Sequence, residues 1–261
     1  MGNKKFGKQQ ILLLIRAAFF IFYPAIFVTA FTGARMLVEE IAAKETLKLD
    51  GFVETLIILC VITILFGRIF CGFFCAFGTL GDAVYWMSSR IQKKRKKRPF
   101  HVFAKAGDVL RYGKYIVLVA VLALAAAGYG STVSMNSPLS AFSRLHALKP
   151  ISSMIGLGLF ILILIGMALE PRFFCRFCCP LGAIFSLLPV MPFSVVQRDR
   201  EQCIKGCKAC QMVCPASMEL PSKEEGDNAM SGECFACGKC AERCPRRNAE
   251  RPFPGKYLKS K

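Results

Sequence analysis

The sequence predicts a mainly α-helical protein: a four-span membrane domain with a parallel internal repeat, followed by a small α+β domain. Three observations predict this architecture. Hydrophobic residues make up 54% of the 261 residues and fall in long blocks. One cysteine-containing motif occurs twice, and eight of the 14 cysteines lie beyond Gln197, where the composition turns charged. We therefore expect a membrane domain over residues 1–196 and a cytoplasmic domain over residues 197–261.

Four apolar blocks approach the roughly 20 residues that a helix needs to cross the hydrocarbon core of a membrane. The blocks are Ile11–Phe31, Phe52–Gly67, Tyr115–Tyr129 and Ile151–Leu169. The second and third are short, so we expect them to include flanking residues. A secretory signal peptide is the alternative for the first block, but its apolar stretch is long for such a signal.

The charges between the blocks alternate along the chain. Residues 1–10 carry +3, residues 35–54 carry −2, residues 68–114 carry +9 and residues 131–153 carry +2. Cytoplasmic loops of membrane proteins carry the excess of Lys and Arg. We therefore predict a multi-pass protein of the bacterial inner (cytoplasmic) membrane with both termini in the cytoplasm. The basic run Lys93–Arg98 then contacts anionic headgroups or docks an acidic electron-transfer partner, and nucleic-acid binding is not expected.

The cysteine spacing of the C-terminal domain indicates iron–sulfur clusters. Two runs follow the bacterial ferredoxin pattern C-x2-C-x2-C-x3-C-P, the first with one extra residue in its first gap: Cys203, Cys207, Cys210 and Cys214, then Cys234, Cys237, Cys240 and Cys244. In two-cluster ferredoxins the fourth cysteine of each run binds the other cluster. Two separated pairs, the pattern that structural zinc prefers, are not what the sequence shows.

Crossed ligation assigns the eight cysteines to two [4Fe–4S] clusters. The ligands of cluster 1 are then Cys203, Cys207, Cys210 and Cys244. The ligands of cluster 2 are Cys234, Cys237, Cys240 and Cys214. A domain of about 65 residues buries little apolar surface, so we expect the clusters to stabilise its fold.

The doubled motif lies where an apolar block meets the cytoplasm. RIFCGFFCAFG begins at Arg68 and RFFCRFCCPLG begins at Arg172. Parallel repeats suggest a pseudo-two-fold axis along the membrane normal, across which the repeated cysteines meet as one site for a metal or a further iron–sulfur cluster: Cys71, Cys75, Cys175 and Cys179. The alternatives are a redox-active dithiol pair and plain packing of buried thiols. Cys178 has no counterpart and stays unassigned, and Cys60 is expected to pack inside its helix.

A second apolar stretch follows each motif. These stretches, Ala76–Ile91 and Leu181–Val196, are interrupted by Gly, Pro or charge. We expect them to be interfacial or re-entrant segments rather than full spans. The chain has only two histidines, His101 and His146, which the topology places on opposite sides of the membrane. This excludes a bis-histidine di-haem cytochrome within this chain.

Together these features resemble the NapH-type membrane ferredoxins, which are relatives of the C-terminal part of the NosR regulators. The resemblance rests on the four spans, the two Cys-x3-Cys motifs and the paired ferredoxin runs. It implies a quinol dehydrogenase subunit, an oxidoreductase that moves electrons between membrane quinone and other redox subunits of a complex. Ala76, where the family often has Pro, and the wider gap between Cys203 and Cys207 depart from the pattern without removing a thiolate.

Two other functions stay open at this point. One is a metal reductase or assembly factor, for example for the copper of a respiratory enzyme. Outward-facing sulfur or imidazole ligands would favour it, and the predicted outer loops offer only Met36, Met135 and His146. The other is a membrane docking platform for a soluble redox protein, which the basic run Lys93–Arg98 would suit.

Overall fold

The computed structural model of the chain describes residues 14–23, 26–43, 50–94, 107–151, 153–189, 197–198, 203–204, 206–218, 231–246 and 249–250. The chain divides into two compact units. One comprises Met1–Leu59 and Phe73–Ala183, and the other comprises Cys60–Gly72 and Ile184–Lys261. Contacts thus group Cys60–Gly72 with the C-terminal part, whereas the boundary predicted after residue 196 follows composition alone.

Helices dominate the described residues. After a helical stretch at residues 14–22, they are α1 Ile26–Ala43, α2 Gly51–Phe66, α3 Ala76–Lys94, α4 Gly107–Leu110, α5 Gly113–Leu124, α6 Gly130–Met135, α7 Pro138–His146, α8 Met154–Leu169, α9 Phe173–Phe177 and α10 Pro180–Leu187. Two π-helical turns lie at Phe70–Phe74 and Ala125–Tyr129. Ser137 and Ser153 cap α7 and α8 by accepting hydrogen bonds from backbone N–H groups of the first turn.

The described residues of the first apolar block, Ile11–Phe31, do not form one continuous helix, unlike the single helix that hydropathy predicts there. Residues 14–22 are helical, Tyr23 is not, and α1 begins at Ile26. The sequence places Pro24 directly after Tyr23. Proline has no N–H to donate and disfavours the helical conformation of the residue before it. The break therefore follows from one residue that the hydropathy pattern ignores.

Helix length does not confirm the count of four spans. Among the described residues, one helical stretch, Gly113–His146, is long and apolar enough to cross a membrane. Gly128 interrupts it with a left-handed backbone, at a φ of 85°. The apolar helices α2 and α8 have 16 residues each. Helices α6 and α7 also occupy much of the region that was predicted as an outer loop.

The stretch after the first motif forms one continuous helix, α3, of 19 residues. Its residue Gly81 faces Met167 of α8, since an added Cβ would lie in ordinary contact, 3.4 Å from the Met167 sulfur. Phe77 of α3 is fully buried against Phe160 and Phe174, with ring centroids 6.0 Å and 4.5 Å away. Aromatic packing therefore anchors α3 in the core of the first unit.

The C-terminal part of the second unit has the small α+β arrangement expected of a ferredoxin domain. Strand β1 (Gln197–Arg198) pairs antiparallel with β2 (Ala249–Glu250). Two short helices, α11 (Ala209–Val213) and α12 (Lys239–Arg243), pack against each other. A 3-10 turn at Ser231–Glu233 precedes the second cysteine run. This arrangement places one short helix within each cysteine run.

Candidate iron–sulfur site

Each short helix carries the third cysteine of a run and ends at the fourth. Cys210 lies in α11, which ends before Cys214, and Cys240 lies in α12, which ends before Cys244. Both fourth cysteines have extended backbones, with ψ near 118°. The proline that follows each of them explains this conformation, because it pushes the preceding residue out of the helical region. The Cys-Pro pair thus turns the chain away from its own run.

The structure brings cysteines of the two runs together. Buried Cys240 packs against Cys210 and Cys244. Cys214 lies close enough to Cys237 and Cys240 for the thiolate charges to interact. The fourth cysteine of the first run therefore lies beside the second run, as crossed ligation requires.

The thiols of the second run have the electrostatics of a site that binds a cation. Burial, and then the charges of Cys234, Cys237 and Cys214, raise the pKa of Cys240 to about 12. Burial also raises the pKa of Cys214, while backbone N–H groups of Met218 and other neighbours oppose this rise. Thiolates that repel one another in a buried place need positive charge among them, and the iron of a cubane cluster supplies it. The donor set therefore fits a [4Fe–4S] cluster.

A single metal ion fits the described residues less well. Within this part of the chain, no group of three or more His, Cys, Asp or Glu side chains is placed to hold one ion. The four thiolates of a cubane cluster lie further apart than the ligands of one tetrahedral ion. The cluster loop also supplies donors to sulfur, since the Ala236 N–H lies 3.4 Å from Cys234 Sγ.

The second cysteine of each doubled motif lies at the start of a helix. The carbonyl of Cys75 accepts from Thr79 N–H at the beginning of α3, and that of Cys179 accepts from Ala183 N–H at the beginning of α10. The Gly182 N–H also donates to Cys179 Sγ at 3.2 Å. A helix N-terminus favours a negatively charged sulfur. These positions suit thiolate ligands, although the shared site of the four repeated cysteines stays a prediction.

The remaining thiols and histidines differ in their surroundings. Cys71, Cys75, Cys175 and Cys179 are buried, whereas Cys60 and Cys178 are half-buried. His146 packs edge-on against Phe20 at a centroid distance of 5.4 Å and also contacts the ring of Phe142. The imidazole therefore contributes to aromatic packing in the first unit. His101 lies outside the described residues.

Comparison with known proteins gives the family. The family model of a 4Fe-4S binding domain matches residues 55–97 and 153–190, and that of a 4Fe-4S dicluster domain matches residues 195–245. The ferredoxin-type protein NapH of Haemophilus influenzae is 25% identical to this chain over 80% of it and 70% of NapH. The chain belongs to the NapH-type ferredoxins. It is therefore an iron–sulfur electron-transfer protein, and the resemblance noted from its motifs is confirmed.

Two archaeal proteins are also similar to this NapH-type ferredoxin. Both are uncharacterized proteins of Methanocaldococcus jannaschii. MJ0750 is 29% identical over 92% of this chain and 94% of its own length, and MJ0749 is 30% identical over 74% and 67%. No solved structure matches this chain.

Sequence reasoning missed the buried charges that hold the motifs of this NapH-type ferredoxin in place. In the second unit, fully buried Arg68 donates to Glu233 Oε2 at 3.3 Å and to the Gly232 carbonyl at 3.4 Å. In the first unit, Arg172 donates from Nε and Nη2 to the two carboxylate oxygens of Asp82, at 2.9 Å and 2.7 Å. The repeated motif contains both arginines, so their recurrence was the available signal.

Arg176, which follows Cys175, extends the ionic contacts of the second motif. It pairs with buried Glu170 at 3.8 Å. Arg16 adds a second cation to Asp82 at 3.3 Å. Buried charges in an apolar unit are stable only when paired, so these side chains fix the second motif to its surroundings.

Proposed function

We propose that this NapH-type ferredoxin is an integral membrane protein that passes electrons between the quinone pool and a partner redox protein. One observation carries the proposal. The described cluster-binding residues belong to the same compact unit as Cys60–Gly72, which contains the end of the apolar helix α2 and the first five residues of the first motif, Arg68–Gly72. Clusters attached to the end of an apolar helix are suited to collecting or delivering electrons at a membrane surface.

The ligand assignment forms part of this proposal. Cluster 1 is bound by Cys203, Cys207, Cys210 and Cys244, and cluster 2 by Cys234, Cys237, Cys240 and Cys214. When bound, the clusters supply one-electron chemistry. The chain would fix their spacing and exclude water, since Phe235 and Ala236 are buried within the second run, between Cys234 and Cys237. The four motif cysteines, Cys71, Cys75, Cys175 and Cys179, would hold a further cluster or metal.

Membrane insertion is supported by the helices that are apolar on every side. Exposed positions of α2 include Ile57, Ile58 and Val61, and those of α8 include Leu162 and Ile165. A helix with apolar residues all round contacts either a protein core or lipid, and exposed apolar side chains favour lipid. We therefore keep the multi-pass topology with cytoplasmic termini as a proposal.

Reporter fusions test that topology. Fusions near Lys48 and Lys149 are expected to report the outer side, and fusions near Lys96 and at Lys261 the cytoplasmic side. This order follows from the alternating charges of the intervening loops. A Lys261 fusion that reports the outer side would contradict the topology and place the ferredoxin domain in the wrong compartment.

Quinol reduction tests the electron-transfer function. The full chain is purified anaerobically, placed in liposomes and mixed with menadiol, and the clusters are followed by electron paramagnetic resonance (EPR). We expect the cluster signals to appear with menadiol and to be absent without it. Cys60→Ser serves as a control that leaves the proposed ligands intact. Clusters that dithionite reduces and menadiol does not would contradict the quinone-linked function.

A further inference from the structure

The loop that carries Cys234 is held by the first copy of the doubled motif. Arg68, the first residue of the motif, donates to the Gly232 carbonyl and to Glu233 Oε2. Its guanidinium also lies over the ring of Phe235, 4.9 Å from the centroid. One buried side chain thus contacts three residues next to the first ligand of cluster 2.

Two glycines, Gly72 and Gly232, allow the backbone of the Cys234 loop to lie in direct contact with the backbones of neighbouring segments. A Cβ added to Gly72, the neighbour of Cys71, would overlap the carbonyl oxygen of Phe235. A Cβ added to Gly232 would overlap the carbonyl oxygen of Ser186 in α10. Only glycine fits where one backbone meets another at this distance. Gly72, which follows Cys71, therefore touches Phe235, which follows Cys234. Each of these two cysteines lies one residue from the contact.

We propose that cluster 2, rather than cluster 1, exchanges electrons with the membrane edge, and that Arg68 is the positioning residue for this exchange. The inference rests on the proposed function, because a quinol is the donor. Oxidation of one quinol would release two protons and two electrons; cluster 2, held by Cys234, Cys237, Cys240 and Cys214, would take up the electrons one at a time, and cluster 1 would pass them to the partner. Arg68 contributes a fixed positive charge beside the cluster that accepts each electron.

Charge removal gives this proposal a measurable consequence. A nearby positive charge stabilises the reduced cluster, so Arg68→Gln lowers the reduction potential of cluster 2. At the midpoint potential of the wild-type protein, we expect the ratio of oxidised to reduced cluster 2 to rise roughly tenfold. An effect of this magnitude is what one unit charge produces at a distance of about a nanometre in protein. Arg68→Lys keeps the charge and should restore most of the potential. Gly72→Ala displaces the loop and should also shift cluster 2.

The experiment is a potentiometric EPR titration of the full chain. The signal that Cys214→Ala removes is assigned to cluster 2, and the signal that Cys244→Ala removes is assigned to cluster 1. Arg90→Gln is the matched control for charge, because exposed Arg90 lies over Trp86 at 4.8 Å. Gly158→Ala is the matched control for glycine, because an added Cβ there meets nothing within 4 Å. Neither control should shift either cluster.

The outcomes separate this inference from the proposed function. Shifts confined to cluster 2 in Arg68→Gln and Gly72→Ala support the inference, and Gly72→Ala provides the answer if Arg68→Gln does not fold. Shifts confined to cluster 1, equal shifts of both clusters or no shift would overturn it. If these shifts occur in a protein that menadiol does not reduce, the quinone-linked function fails while the placement of cluster 2 stands.

Discussion

Both copies of the doubled motif contain the Cys-x3-Cys pattern. They differ at the residue that follows the first cysteine of this pattern. In the first copy this residue is Gly72, whose bare backbone admits the carbonyl of Phe235. In the second copy it is Arg176, which fills the same position in the repeat and pairs with Glu170. The start of the first copy, Arg68–Gly72, therefore contacts the cluster loop within the second unit, and the second copy contacts the end of α8 within the first unit. This position is one of those at which the contacts of the two copies diverge.

The arginine at the start of each copy shows the same divergence. Arg68 binds Glu233, whose side chain is 25% exposed. Arg172 binds Asp82 through two hydrogen bonds and has a left-handed backbone at a φ of 58°, which is rare for a residue other than glycine. Both arginines are buried, but the acid of the second copy is less exposed, at 16% for Asp82, and the backbone of Arg172 is more constrained, which indicates a mainly structural role.

Backbone conformation differs as well, although the helix that follows is kept. The first copy forms a π-helical turn at Phe70–Phe74, whereas the second forms the α-helical turn of α9. Both then begin a helix directly after the second cysteine, at Ala76 and at Pro180. Proline is favoured at the first helical position, and alanine is a good helix former there. The repeat therefore preserves the helix N-terminus beside the thiol.

Exchanging the divergent residue should have the largest effect. Gly72→Arg places a long charged side chain where the Phe235 carbonyl lies, so we expect displacement of the Cys234 loop and loss of cluster 2. Iron content and EPR of the full chain measure this loss. Gly51→Arg is the control, because a Cβ at Gly51 meets nothing within 4 Å. Retention of both clusters in Gly72→Arg would contradict the close contact.

Loss of either helix-starting thiol tests whether the two copies act together. If the motif cysteines share a cluster, the full chain holds more than the about eight irons of two [4Fe–4S] clusters. Cys75→Ser and Cys179→Ser should each remove the whole excess, because a buried shared site does not tolerate partial ligation. Cys60→Ser and Cys178→Ser should keep it. An excess that survives in either of the first two variants would favour separate roles for the copies.

Truncation of each arginine tests whether the ion pair of the second copy contributes more to stability than that of the first copy. Arg172→Met removes the two hydrogen bonds that Arg172 donates to the Asp82 carboxylate, and Arg16 at 3.3 Å remains as a cationic partner. Breaking a buried pair typically costs about 3–5 kcal/mol of the free energy of unfolding. Thermal melting of the detergent-solubilised chain should show this loss, with only partial recovery in the double variant Arg172→Met, Asp82→Leu, because Asp82→Leu also removes the carboxylate that Arg16 contacts.

The same truncation in the first copy should cost less stability. Arg68→Met leaves Glu233 partly open to water, so less desolvation is left uncompensated. We expect a smaller fall in melting temperature than for Arg172→Met, accompanied by the change in cluster 2. Equal destabilisation without any change in cluster 2 would remove the contrast between the copies.

Particular residues show how far the sequence alone could lead. Cysteine spacing identified the ferredoxin domain, because cluster ligation imposes short, regular gaps on the chain. Hydropathy missed the break after Tyr23, since one proline hardly changes the mean of a window yet removes a backbone hydrogen bond. The acids Glu233 and Asp82 lie 165 and 90 residues from their arginines. No local pattern announces such pairs, so only the fold reveals them.

Competition between protons and iron for the thiolates of cluster 2 should give the smallest effect. Burial and the neighbouring thiolates raise the pKa of Cys240 to about 12 from a usual value of 9.0, so this thiol is protonated at any physiological pH once cluster 2 leaves. Cluster binding requires the thiolate, and lowering the pH therefore favours release, by up to about tenfold per unit for each proton taken up.

Iron release to a chelator at pH 6, 7 and 8 measures this, with cluster 2 followed by its EPR signal. Release of cluster 2 at one rate across this range would show that its cysteines do not govern its stability.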